Sequence, residues 1–205
     1  MTGYSMKKQV FYIHGGDSYT KYEDFLHDLS AKTIRDPFGL ERKVIWTEKL
    51  RETLGAEFEV LMPTMPNKQN AKYEEWKIWF ERHFAYLRDG VILVGWSLGG
   101  MFLAKYLTEN KFPVTIKSVY LLGSPSGEFV GDCGDFSFSM ENSVNLTENL
   151  EKINVWHSED DFVVPYQEFN LYKKHWKSAN FVSFTDKNHF LVEELPELID
   201  AIKKT

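Results

Sequence analysis

The sequence predicts an α/β fold: one mainly parallel sheet of about six strands with helices on both faces. Two observations predict it. Short apolar runs rich in β-branched and aromatic residues recur at 10–13, 58–62, 91–94, 116–122, 153–156 and 181–184. Continuous apolar runs of this length suit strands covered on both faces. Between them lie segments with helical spacing, namely Tyr73, Trp76, Phe80, Phe84 and Leu87, then Tyr166, Phe169, Lys173 and Trp176, then Leu195, Leu198, Ile199 and Ile202. Pro196 sits near the start of the last helix behind Glu193 and Glu194, where its missing N–H is harmless and the helix dipole favours negative charge. Alternation of strand and helix builds a parallel sheet whose ligands bind at the carboxyl ends of the strands. Segments 17–44 and 124–151 fit the alternation poorly. Both follow a strand, so both should emerge on the functional edge.

Composition narrows the function classes. With 205 residues and 43% hydrophobic content, one domain spanning 1–205 can bury its own core. A net charge of -6 without any Lys/Arg run argues against a nucleic-acid partner. No apolar run reaches membrane-spanning length, and residues 1–9 lack the apolar core of a signal peptide, so a soluble, cytoplasmic protein is expected. Cys133 is the only cysteine and excludes an intrachain disulfide; with no basic neighbour it reads as an incidental loop thiol. Asp132, Asp135 and Glu141 are spaced irregularly and read as a solvated acidic stretch, so no metal or other cofactor is implied.

The chemistry-bearing residues follow strands. After the run 91–94 comes Gly95-Trp96-Ser97-Leu98-Gly99-Gly100 and then a helical segment. The bare pattern G-x-S-x-G arises by chance in a few per cent of chains, given glycine at about 7% of residues, so its context matters. A strand before and a helix after are that context, and they lift the Ser97 hydroxyl clear of the sheet at a helix N-terminus. Serine is a poor nucleophile at neutral pH and needs a base, itself oriented by a carboxylate. His189 follows the last strand and Asp161 follows the one before it, and the chain order Ser, Asp, His lets the three converge at one edge. His157, at a strand end beside the acid, is the rival base. His14 is read as a brace for its loop, and His27, His83 and His175 as surface or helix-packing residues. The first strand runs into His14-Gly15-Gly16, whose loop offers the Gly16 amide to an oxyanion alongside the amide of Leu98.

With these residues in place the chain resembles the α/β-hydrolases, and within them the small serine hydrolases related to the retinoblastoma-binding serine hydrolase and its bacterial counterparts. The resemblance rests on His14-Gly15-Gly16, Met65-Pro66-Asn67 followed by Trp76, the segment from Gly95 to Gly100, Asp161-Phe162-Val163-Val164-Pro165, and Asn188-His189-Phe190. It implies a carboxylesterase acting on a small-molecule ester or thioester through an acyl-enzyme, and it selects Asp161 over Asp160 as the acid. A non-catalytic binding protein on the same fold is the alternative. Trp96 stands where histidine is common, as in short-chain carboxylesterases that act on methyl esters of acyl carriers, and Ser158 stands where glycine is frequent.

Segment 17–44 is expected to act as a lid or pocket wall over Ser97. Tyr19, Tyr22, Phe25 and Leu26 give a short helix an apolar face, so Tyr19, Tyr22 and Phe25, with Trp96, are the candidate pocket residues. The competing reading packs the same aromatics onto the sheet as ordinary core.

Overall fold

The computed structural model describes residues 6–34, 37–38, 40, 43–140 and 150–205. Its six strands are β1 (Lys8–Ile13), β2 (Phe58–Leu61), β3 (Val91–Trp96), β4 (Ile116–Leu122), β5 (Ile153–Ser158) and β6 (Asn180–Phe184), in the sheet order β2-β1-β3-β4-β5-β6. Every pairing is parallel. The chain steps outward from β1 to β2, then returns past β1 to β3. That reversal opens a crevice at the carboxyl ends of β1 and β3, where Ile13 and Trp96 lead into His14-Gly15-Gly16 and Ser97.

The alternation of side chains along each strand feeds two apolar layers. Phe11, Ile13, Leu93, Leu121 and Val155 face one layer, and Val10, Tyr12, Val94, Leu122 and Trp156 the other. Helices α3 (Tyr73–Arg82), α4 (Leu98–Glu109) and α5 (Tyr166–His175) cover the first through Trp76, Phe80, Phe102, Tyr106, Phe169 and Tyr172. Helices α2 (Trp46–Leu54) and α6 (Pro196–Lys204) cover the second through Trp46, Leu50, Leu198 and Ile202. Truncating one of the buried aromatics to alanine is worth about 3–5 kcal/mol, so these layers dominate the stability.

Two elements depart from the sequence reading. The apolar spacing over 73–87 predicts one helix, but α3 stops at Arg82 and a separate 3₁₀ turn covers Phe84–Tyr86. The spacing persists because Phe84 still stacks on Phe80 and Phe112, at ring separations of 5.1 and 4.9 Å. Helix α1 (Tyr22–Ala31) buries none of its residues, leaving Tyr22 60% exposed and Leu29 56%. It therefore adds nothing to the core, contrary to the reading that packs its aromatics onto the sheet. No helix among the described residues is long and apolar enough to cross a membrane.

Candidate active site

Between the end of β3 and the start of α4 stands a single residue, Ser97, with φ 55° and ψ -125°. A serine held in this region costs on the order of 1–3 kcal/mol and persists only where its surroundings dictate it. Here they do. The Ser97 amide donates to Leu122 O at the end of β4, and the Ser97 carbonyl accepts from Gly100 and Met101. Gly99 lies so close to the end of β1 that a Cβ would overlap the carbonyl oxygens of Ile13 and His14. Ser97, held in this sharp and crowded turn, lines a cleft of about 340 Å³.

Asp161 and His189 meet beside this turn. Asp161 Oδ2 lies 2.8 Å from His189 Nδ1, with the carboxylate fully buried and the imidazole nearly so. Asp161 Oδ1 accepts from the amides of Val163 and Val164, each at 2.8 Å. Since a carboxylate only accepts, Nδ1 must carry the proton, and Nε2 is left with a free lone pair. Gly123, the residue after Leu122, has φ +50°, and a Cβ on it would stand 3.1 Å from Asp161 Oδ2 and 3.2 Å from His189 Nδ1. The pair thus packs against the strand end that takes the Ser97 amide.

The other titratable groups are engaged elsewhere. His157 is buried against the rings of Tyr166 and Phe169, and its Nε2 donates to Val164 O at 2.9 Å. It stands 3.7 Å from Asp161 Oδ2, and its burial holds its pKa below the ordinary histidine value. Its Nδ1 has no hydrogen-bond partner among the described residues. His157 is therefore a neutral packing residue. Asp160 does not reach the imidazole; its Oδ1 accepts from Ser158 Oγ and from the Asn188 amide at 2.9 Å. Cys133 lines the cleft, but burial, together with the charges of Glu168 and Asp132, pushes its thiol up to about 12.

The loop after β1 is braced as its sequence suggests. His14 Nδ1 donates to Gly15 O at 2.6 Å while Nε2 accepts the Met65 amide at 2.8 Å, a neutral imidazole whose pKa burial lowers. Trp76 packs edge-on to His14 and donates to Pro66 O, so Met65, Pro66 and Trp76 all serve this loop. A Cβ on Gly15 would come within 3.0 Å of Ser97 Cβ, which puts the loop in van der Waals contact with the Ser97 turn. Neither the Gly16 nor the Leu98 amide has a hydrogen-bond acceptor among the described residues. Both residues line the cleft with Ser97.

The candidate pocket residues are brought together only in part: Trp96 stands apart from the other three. Tyr19 lines the Ser97 cleft; Phe25 and Tyr22 extend outward from it, with successive rings 5.7 Å apart and Tyr22 largely in solvent. Trp96 turns away from that cleft into another, of about 480 Å³, with Tyr12, His14, Gly15 and Lys68. Its ring is held there because the indole N–H donates to His189 O at 2.9 Å. The described parts of segments 17–44 and 124–151 meet at the cleft, stitched by Thr20, whose amide and hydroxyl donate to the Asp132 carboxylate. Asp135 accepts the Tyr73 amide. These contacts give the two aspartates structural roles, while Glu141 lies outside the described residues.

Sequence reasoning missed Glu168, a fully buried carboxylate on α5 that accepts from the amides of Ser126 and Phe129 and from Ser126 Oγ. It fixes the start of the loop forming one wall of the cleft. Nothing in its spacing marks it, since its partners lie about forty residues earlier in the chain.

Several solved structures share this architecture. The ydeN gene product from B. subtilis superposes with a TM-score of 0.71 at 19% identity, covering 97% of this chain and 98% of that one. A serine hydrolase from Cycloclasticus zankles gives a TM-score of 0.60 at 11% identity over 97% and 88% of the two chains. An esterase domain from a Rhodothermus marinus protein gives 0.55 at 16% identity over 93% and 80%. A search of curated proteins found no match. At identities this low the superpositions show a shared α/β-hydrolase fold and nothing further. The sequence itself matches the family model described as Serine hydrolase over residues 40–198, most of the chain, and so the protein belongs to the serine hydrolase family.

Proposed function

We propose that this protein hydrolyses carboxylic esters or thioesters of small molecules through a Ser97-His189-Asp161 triad. The observation that carries the reading is the 2.8 Å contact between His189 Nδ1 and a fully buried Asp161 carboxylate. An aspartate that holds Nδ1–H leaves Nε2 as the only nitrogen able to take a proton, which is the state a general base requires.

Ser97 Oγ attacks the carbonyl carbon as its proton passes to His189 Nε2, and the imidazolium that forms is stabilised by Asp161. The carbonyl oxygen becomes an anion facing the Gly16 and Leu98 amides. Collapse expels the alcohol or thiol, which takes the proton from Nε2, and an acyl ester remains on Ser97. Water then repeats the sequence with His189 as base, releasing the carboxylic acid and restoring the hydroxyl. Helix α1 and the described residues of segment 17–44 act as a lid or wall beside the cleft, which Tyr19 lines, while residues 35, 36, 39, 41 and 42 lie outside the described residues. Within the family, the motifs at 14–16, 161–165 and 188–190 favour kinship with the retinoblastoma-binding serine hydrolase and its bacterial counterparts. A single half-buried cysteine suits a reducing, cytoplasmic setting.

A fluorophosphonate probe tests the reading, because it labels only an activated serine. Wild type should label at Ser97 and turn over a series of p-nitrophenyl esters. Ser97→Ala and His189→Ala should each lose activity by on the order of 10⁴-fold. A folded wild type that neither labels nor turns over any ester would favour a binding protein, and substantial turnover by either variant would end the triad assignment.

A further inference from the structure

The loop that carries His189 is held at every residue from 187 to 190 by a side chain from elsewhere in the fold. Ser158 Oγ accepts the Lys187 amide at 3.1 Å and Asp160 Oδ1 accepts the Asn188 amide at 2.9 Å. Trp96 Nε1 donates to His189 O at 2.9 Å and Trp46 Nε1 donates to Phe190 O at 3.0 Å. Trp46 also uses its own amide to reach Val192 O at 3.0 Å. These anchors come from the end of β5, the turn after it, the end of β3 and the start of α2.

The loop needs such anchoring. Asn188 and Phe190, the two neighbours of His189, have φ of 43° and 55°. Left-handed backbone at a bulky residue such as phenylalanine is a costly state, held only when its surroundings over-determine it. The loop has little of its own to hold it: the Phe190 amide reaches Lys187 O at 2.7 Å and the Leu191 amide reaches Asn188 Oδ1 at 3.0 Å. The outer anchors grip N–H groups before the imidazole, and the two indoles grip carbonyls at and after it. An indole N–H suits this position because it donates at every pH and brings a large apolar body to exclude water.

We infer that Trp46 and Trp96, with Asp160 on the opposite side, are positioning residues that set the direction in which His189 presents Nε2 to Ser97. The inference rests on the triad reading. A proton acceptor displaced by about 1 Å can lose 10²-fold in rate, so the anchors act on kcat rather than on substrate binding. Packing alone is the competing account, since Trp46 also lies edge-on to Tyr12 at 5.7 Å.

Phenylalanine keeps an aromatic ring and removes the N–H, and because it is also smaller than indole the lost packing is read separately as lost stability. With p-nitrophenyl acetate as probe and thermal unfolding measured alongside, Trp46→Phe and Trp96→Phe should each lower kcat by about 10-fold or more and leave KM within about 2-fold. Asp160→Ala should fall similarly, whereas Asp160→Asn should stay near wild type, because an amide oxygen can still accept the Asn188 N–H. The Asp160 side chain lies at an exposed position, so this pair decides the matter even if a tryptophan variant does not fold. Trp96→Phe and Asp160→Ala enzymes with wild-type kcat, beside an inactive His189→Ala, would overturn the positioning role and leave the triad standing. A fully active His189→Ala would overturn the triad, and the positioning role with it.

Discussion

Asp161 presents its two oxygens to different partners: Oδ1 takes the amides of Val163 and Val164, and Oδ2 takes His189 Nδ1. Orientation is thereby built into the Asp161 carboxylate as well as the His189 ring, because the amides fix which oxygen turns toward the imidazole.

That division predicts the outcome of Asp161→Asn. Two N–H donors already face the Oδ1 position, so the new amide must place its oxygen there and turn its NH₂ toward His189. Nδ1 then becomes the acceptor, the ring proton moves to Nε2, and the base is in the wrong tautomer. Activity should fall by on the order of 10⁴-fold while the fold persists. Steady-state kinetics with thermal unfolding checks this, and an Asp161→Asn enzyme as active as Asp160→Asn would contradict it.

Gly123→Ala should damage the same pair from the strand side. At φ +50° an alanine is strained, costing about 1–3 kcal/mol. Its Cβ would also push on Asp161 Oδ2 and His189 Nδ1. Urea unfolding should show the lost stability, and kcat in the folded fraction should drop. An alanine variant with unaltered kcat would mean the pair tolerates displacement.

Acid should destabilise the protein before its carboxylates titrate. Burial holds His14 and His157 below the ordinary histidine pKa, so below about pH 6.5 the unfolded chain binds protons that the folded chain refuses. Stability contributed by the two neutral rings is complete above that pH and is lost as pH falls toward their folded values, at up to about 1.4 kcal/mol per pH unit for each group. Urea unfolding of wild type and His157→Gln between pH 7.5 and 5.0 should show a shallower slope in the variant. Identical slopes would refute the neutral assignment of His157.

Because α1 buries nothing, replacing Tyr22 and Phe25 with alanine should cost less than about 1 kcal/mol, as at other surface sites. If the helix walls the cleft, the same pair should change the preference among p-nitrophenyl ester chain lengths or raise KM. Unchanged preference and KM would leave α1 without a part in substrate binding.

The sheet was legible in the sequence because its inner strands, β1 and β3 above all, are buried on both faces and are written as near-continuous apolar runs, whereas the edge strands β2 and β6, with Glu59 and Ser183 exposed, carry a weaker signal. The candidate site could be proposed from sequence because Ser97 directly follows β3 and Asp161 and His189 lie in the loops after β5 and β6. The anchors could not. Trp46 reaches Phe190 across the fold from a helix with an ordinary amphipathic pattern, and Trp96 reads from sequence as a pocket residue while its indole faces a loop 93 residues away. Hydrogen bonds between distant segments leave no periodicity to read. Nor did the aromatic spacing of α1 show whether its apolar face would be covered, because periodicity marks a face and says nothing of what meets it.

The crowding at Gly99 bears on how such motifs are used to sort genomes. That residue lacks a side chain because the carbonyls of Ile13 and His14 occupy the space, a constraint set by how strand ends cross and indifferent to what Ser97 does. A descendant that had abandoned catalysis would lose its serine, its histidine or its acid freely, yet would keep this glycine or unfold. The glycines of G-x-S-x-G therefore report ancestry and architecture, whereas the chemistry proposed for this fold must be read from the loops that carry Asp161 and His189.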